Sequence, residues 1–172
     1  MDLQPTLTGE RVVLRPTVAG DWETLFAVAR DPLIWALHPA HDRWQEPVFR
    51  RYFEDALACG GGLTILDKTN GAVIGASRYY GHVPERDEIE IGWTFLARDY
   101  WGGAYNREVK QLMLDHIHAF VETALFLVGE GNLRSQGAMR KIGGVERAQR
   151  LVRDYPTGPA AQIVYEIRRP AQ

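Results

Sequence analysis

Residues 88–128 read EIEIGWTFLARDYWGGAYNREVKQLMLDHIHAFVETALFLV, and their periodicity changes twice. From Glu88 to about Phe95, Ile89, Ile91 and Trp93 alternate with Glu88, Glu90 and Gly92, a period of two that predicts a strand. From about Asn106 to Phe120, Val109, Leu112, Met113, Ile117 and Phe120 make the apolar stripe of a helix. Ala124–Val128 is an unbroken apolar run, the pattern of a strand covered on both faces and paired in parallel. Strand, helix and strand in that order predict a crossover between parallel neighbours.

The flanking chain predicts antiparallel pairing instead. Leu63–Leu66 and Ala72–Ala76 flank Asp67–Gly71, where Asn70-Gly71 offers the positive φ angles of a tight reversal. Arg11–Arg15 predicts a first strand closed by Pro16, which cannot donate to a sheet ladder. Asp21 opens a helix with Trp22, Leu25, Phe26 and Ala29 at helical spacing, and Pro32 is expected to end it. A second helix follows Pro47 and stops at Gly60–Gly62, and Gly81–Asp87 is expected to be a turn. Beyond the crossover, a helix is expected from Asn132 to Ile142, ended by Gly143-Gly144. Strands Val145–Val152 and Ala161–Ile167 then flank the turn at Pro156-Thr157-Gly158. The expected fold is a single domain over residues 1–172 of mixed α/β (α+β) class. Its central twisted sheet holds about seven strands, mostly antiparallel, with helices on both faces.

The chain has 172 residues, a formal net charge of −2 and 24% charged residues. A chain of this size can bury roughly 70% of its unfolded surface in one core. No basic excess points to nucleic acid, and no apolar run approaches the roughly 20 residues of a membrane span. The first residues lack signal-peptide character, and Cys59 is the only cysteine, so a cytoplasmic protein without an internal disulfide is expected. His38 and His41 lie three apart but have no third ligand at a suitable spacing, so no metal is expected.

The chemistry concentrates in Trp101-Gly102-Gly103-Ala104-Tyr105-Asn106. Glycines let the backbone approach a ligand closely. The first amides of the following helix lack internal partners and suit a phosphate or pyrophosphate. Asn106 is the expected N-cap. Alone, the same residues read equally well as a capped strand-to-helix turn.

In context they do more, because the stretch from Glu90 to Gly143 resembles the GNAT superfamily of acyl-CoA-dependent N-acyltransferases, nearest its RimJ/RimL-like branch. Glu90–Leu96 resembles the family's cofactor-side strand, Tyr100–Glu108 its pyrophosphate loop, and Asn132–Ser135 through Lys141–Gly144 its second cofactor helix. Leu7–Pro16 resembles the family's opening. Two departures stand in the loop: Ala104 replaces the usual second glycine, and Asn106 replaces a small residue.

The resemblance implies acetyl-CoA, or another short acyl-CoA, as co-substrate. Phe95 and Leu96 would meet the pantetheine arm, Trp101, Gly102, Gly103, Ala104, Tyr105 and Asn106 the pyrophosphate, and Asn132 would both cap its helix and contact pantetheine. Arg98, Arg140 and Lys141 are candidates for the 3′-phosphate. Glu90 is the preferred general base, with Glu88 on the same strand face as the alternative; two solvated surface carboxylates fit the alternation equally. Ser135 would protonate or hydrogen-bond the departing thiolate, since Met139 stands where many members carry tyrosine. The acceptor pocket would draw on Trp35, His38, Tyr80 and Trp93, with Trp44, Tyr79 and Tyr155 as further candidates. The implied function is direct acyl transfer, in a ternary complex, to a primary amine on a small molecule or a protein N-terminus. A homodimer is compatible with the resemblance. An acyl-CoA-binding module without turnover is the alternative. A nucleotide-binding protein ranks last, because no Walker-type lysine follows the glycines.

Overall fold

A computed structural model describing residues 1–171 places the chain in one eight-stranded sheet flanked by helices. In chain order the elements are β1 (Leu7–Thr8), β2 (Val12–Pro16), α1 (Trp22–Ala29), α2 (Pro32–Trp35), α3 (Glu46–Ala58), β3 (Gly62–Asp67), β4 (Val73–Val83), β5 (Glu88–Leu96), α4 (Ala104–Ile117), β6 (Thr123–Gly129), α5 (Leu133–Lys141), β7 (Val145–Tyr155) and β8 (Gly158–Arg168). The strands lie in the order β1-β2-β3-β4-β5-β6-β8-β7. Among the described residues only β5 and β6 pair in parallel, joined by the α4 crossover. The eighth strand, beyond the seven expected, is the two-residue β1 set against Val13 and Leu14.

Local chemistry explains most boundaries. The β3–β4 reversal is held by Asp67 Oδ1 accepting from the Thr69 amide (2.8 Å) and Asn70 Oδ1 accepting from Ala72 (2.9 Å), with Gly71 at φ 71°. Pro32 opens α2 instead of merely ending α1, because Asp31 caps the new helix through the Leu33 amide (3.0 Å) and proline suits a first helical position. The expected turn at Gly81–Asp87 is shorter than its sequence suggested, since β4 runs to Val83. Asp87, at φ 52°, accepts the Glu122 amide on Oδ2 (3.1 Å) and so ties the start of β5 to the start of β6.

Two apolar layers sandwich the sheet. On one face Leu14, Ile65 and Ile89 pack with Val109, Met113 and Ile117 of α4. Those three α4 side chains are fully buried, each contributing about 1.5–3 kcal/mol. Opposite them, Leu25, Trp35, Phe49 and Tyr52 of the first three helices cover Phe95. Glu108 ties α4 to the start of β2, its carboxylate accepting from the amides of Glu10 (3.1 Å), Arg11 (2.8 Å) and Val12 (2.8 Å).

Two irregularities in β5 shape the site. Opposite Ser77, between the pairs Ala76–Phe95 and Arg78–Gly92, β5 carries both Trp93 and Thr94, a bulge with Trp93 at φ 53°. The Tyr52 hydroxyl donates to Trp93 O (2.7 Å) and holds that bulge. Pairing between β5 and β6 then stops at Glu90–Leu125, and the two strands diverge.

Candidate active site

The divergence opens a cleft of about 510 Å³. Ile91–Leu96 line one wall and Phe126–Gly129 the other, with the N-terminal turns of α4 and α5 above. Through this stretch β5 bonds to β4 along one edge, while its other edge has no strand partner. An extended chain with amide groups can therefore pair there as a short strand would.

At one end stand Gly102 (φ 112°) and Gly103 (φ 110°). A Cβ added to either would meet nothing within 4 Å, so it is the backbone conformation that calls for glycine. Gly103 is the N-cap of the fourteen-residue α4 and makes no side-chain cap bond. The expected cap, Asn106, is instead the third residue of α4 and lines the cleft beside Arg107. A left-handed glycine ends the loop before Asn106 is reached, which leaves its side-chain amide free to face a ligand. Ala104 faces away, lining a shallow depression with Glu108 and Gln111. Tyr105 packs edge-on against Tyr100 (4.9 Å) at the margin of the core. Neither is among the residues that line the cleft. Trp101 Nε1 donates to Leu96 O (3.0 Å), and the Arg134 guanidinium lies 3.8 Å from its ring centre, so the indole links the end of β5 to α5. Arg98 pairs with Asp31 (2.5 Å).

Along the middle, buried Asn132 caps α5 by accepting from the Ser135 amide (3.3 Å), and Ser135 and Met139 line the cleft. One residue here escaped the sequence reading. Lys110, only 4% exposed, lines the cleft floor and donates from Nζ to Thr94 Oγ1 (2.5 Å). Thr94 Oγ1 in turn shares a hydrogen bond with Ser77 Oγ (2.7 Å). Burial lowers the Lys110 pKa to about 7. Its place three and four residues before buried Met113 and Leu114 was the available signal.

At the other end Trp35, His38 and Trp93 line the cleft. Tyr80 does not: it is exposed, edge-on to Trp93 (5.2 Å) on the outside. Trp44 is exposed, and the Tyr79 hydroxyl is committed to Met113 O (2.7 Å) in the core. His38 Nδ1 accepts the Ala40 amide (2.9 Å), so the neutral ring carries its proton on Nε2. Burial holds the His38 pKa well below its usual value, and the charges of Arg43, Arg134 and Arg153 push it the same way. Tyr155 lies edge-on to His38 (5.9 Å).

Glu88 and Glu90 are both buried, at 6% and 8% exposure, which removes the solvated-face reading. Each is claimed by an arginine of β7. Glu88 bonds Arg147 (2.5 Å), which also holds Glu166 (2.5 Å), at the end where β5 and β6 are still paired. Glu90 accepts both Nη groups of Arg153 (3.1 and 2.9 Å). Glu90 is not itself among the residues that line the cleft; its Oε1 lies 3.1 Å from where a side chain on cleft-lining Gly92 would begin, so the glycine leaves the space between carboxylate and cleft unfilled. Among the described residues, no three His, Cys, Asp or Glu side chains gather as a metal site would require.

A family model described as an acetyltransferase (GNAT) domain matches residues 11–145. No sequence among the curated proteins matches the chain. Among solved structures, the chain is similar to a putative acetyltransferase from T. thermophilus at 26% identity and TM-score 0.78, over 95% of this chain and 88% of that one. It shares a fold with a putative ribosomal-protein-serine acetyltransferase from Vibrio cholerae (15% identity, TM-score 0.76, 98% and 100% covered). The same holds for spermidine N-acetyltransferase from Vibrio cholerae, solved with CoA and spermine (13% identity, TM-score 0.70, 93% and 96% covered).

Proposed function

The chain belongs to the GNAT family of acetyltransferases, and we propose on that footing that it moves an acetyl group directly from acetyl-CoA to a primary amine, with both substrates bound at once. The observation that carries this reading is the unpaired edge of β5, which leads from the Gly102–Gly103 turn at the head of α4 to Trp93 beside Glu90. A CoA molecule fits that layout: its pyrophosphate meets the α4 amides, and its amide-bearing arm runs along Thr94–Leu96. Bound acetyl-CoA supplies a thioester that an uncharged amine can attack, releasing the CoA thiol.

The residues of this chain position and deprotonate the amine. Trp35, His38 and Trp93 wall the end of the cleft where it must sit. Glu90 takes the proton the amine loses, directly or through a water, while Arg153 fixes its orientation. Each carboxylate oxygen bonded to Arg153 keeps a lone pair for that purpose. Ser135, on the first turn of α5, hydrogen-bonds the departing sulfur. Two kinds of acceptor are in view, a small amine and a protein N-terminus, and the cytoplasm is the setting for either.

Release of CoA thiol from acetyl-CoA across a panel of amines and peptides tests the reading. Binding of acetyl-CoA without release to any acceptor would leave a binding module in place of an enzyme. Glu90→Gln should slow turnover by about 10²-fold or more while the acetyl-CoA Kd stays within a factor of two or so. Unaltered turnover would remove Glu90 as the base.

A further inference from the structure

Three arginines crowd the wall behind Trp35 and Trp93, and the protein supplies too little negative charge to match them. Arg43 lies over the rings of Trp35 (5.2 Å) and Tyr52 (5.1 Å). Arg78 lies over Tyr52 (4.9 Å) and Trp93 (4.8 Å), and Arg153 over Trp93 (4.6 Å). Arg43 and Arg78 are 7% and 2% exposed. Glu90 is the one carboxylate bonded to any of the three among the described residues, and it is bonded to Arg153. Arg78 donates from one Nη to Tyr52 O (2.8 Å), while its Nε is buried with no partner. Arg43 forms no side-chain hydrogen bond among the described residues, and the acid beside it, Asp42, leaves its own buried Oδ1 unpartnered.

A buried guanidinium without an anion is costly, and proteins ordinarily pair it or use it. Here the excess positive charge backs the two tryptophans that wall the acceptor end of the cleft. We propose that the amine acylated by this protein carries a carboxylate, which the cluster of Arg43, Arg78 and Arg153 attracts and holds at the Trp35–Trp93 end of the cleft, an inference that rests on the transfer reading above. None of the three guanidiniums lines the cleft, so they act on the carboxylate as positive charge behind the tryptophan wall. The same field disfavours an ammonium, so a bound amine is readily uncharged and able to react. A polyamine, cationic along its whole length, would meet repulsion at the wall where its far end must lie. Neutral His38, edge-on to Trp35, suits this arrangement, because its Nε2–H is a further donor at the same end of the cleft.

The experiment compares acetylation of amino carboxylates of increasing chain length with that of their amides, of O-phosphoethanolamine and of spermidine. Amino carboxylates should exceed their amides in kcat/KM by at least about tenfold, the effect of that positive charge. In Arg43→Met, KM for the best amino carboxylate should rise by about tenfold, with the acetyl-CoA Kd unchanged as evidence of a folded cleft. Preference for spermidine, for amides or for the phosphate-bearing amine would overturn the assignment. So would an Arg43→Met protein that keeps the carboxylate preference. If no acceptor releases CoA, the transfer reading fails by itself. Calorimetric binding of amino carboxylates over their amides, to the protein loaded with CoA, then still decides whether the arginine wall is a carboxylate site.

Discussion

Replacing Lys110 by methionine should stabilise the ligand-free protein, and the gain should shrink as the pH rises. Burial on the cleft floor lowers the lysine pKa from 10.5 to about 7, with Thr94 Oγ1 as its hydrogen-bond acceptor. At about 1.4 kcal/mol per pKa unit, the depression corresponds to roughly 4–5 kcal/mol. Below about pH 7 the folded and unfolded lysines are both protonated, and the whole cost is present. Between there and 10.5 the unfolded chain binds a proton that the folded chain does not, so wild-type stability climbs by about 1.4 kcal/mol per pH unit from this group. Above that range both forms are neutral and the cost is gone. Methionine fills a similar volume without a charge, and it forfeits one hydrogen bond to Thr94 worth about 1 kcal/mol. The variant should therefore be more stable by roughly 3 kcal/mol at about pH 7, an advantage that falls by roughly 2 kcal/mol at about pH 9. Urea unfolding of both proteins at the two pH values, followed by tryptophan fluorescence, measures the difference directly. A gap that stays constant with pH would refute the reasoning, since it would mean that folding does not change the lysine's protonation.

Other perturbations probe the frame around the cleft. Gly103→Ala forces a side chain onto φ 110°, a strain of about 1–3 kcal/mol, and should weaken acetyl-CoA binding about tenfold or more by calorimetry. Undiminished affinity would detach that turn from the phosphates. Arg147→Met removes the partner shared by Glu88 and Glu166 but leaves them Arg86 and Arg168, so it should destabilise the protein by about 1 kcal/mol in chemical denaturation. Arg147 also holds the Glu166 pKa down, chiefly through its hydrogen bond, so that stability is present above the unfolded carboxylate's pKa and is lost as the pH falls through the folded one. The variant should show a shallower loss on acidification, and an unchanged acid profile would contradict the pairing.

The crossover was legible in the sequence because its signals are local: a period of two in β5, a helical stripe in α4 and an unbroken apolar run in β6. The Asn70-Gly71 reversal and the Asn132 cap were legible for the same reason. What escaped depends on distant parts of the chain. The bulge at Trp93 arises from register against Ser77 and from the Tyr52 hydroxyl, neither of which is encoded within β5. Glu88 and Glu90 looked alike by spacing, yet they separate into two different ion pairs because Arg147 and Arg153 arrive from β7. Asn106 was misplaced because cap preference favours asparagine, whereas a left-handed Gly103 starts the helix earlier. Tyr79 and Tyr80 are neighbours on β4 and point to opposite faces, one into the core and one to solvent, so aromatic character alone could not place either in the pocket.

The separation of β5 from β6 leaves the sheet with an exposed edge in its interior as well as at its two ends. Apart from Leu96 O, which Trp101 Nε1 holds, the backbone groups of Thr94 and Leu96 on that edge have no strand partner and face the edge of Phe126–Gly129 that β8 does not cover. Natural sheets guard their outer edges with charge, proline or brevity, but an interior edge built to receive a ligand cannot be guarded in those ways and still work. It is left as a template onto which a strand from another molecule can add. The pairing that an outer edge offers to a neighbouring strand is thus offered here, inside the sheet, to whatever extended chain the cleft admits.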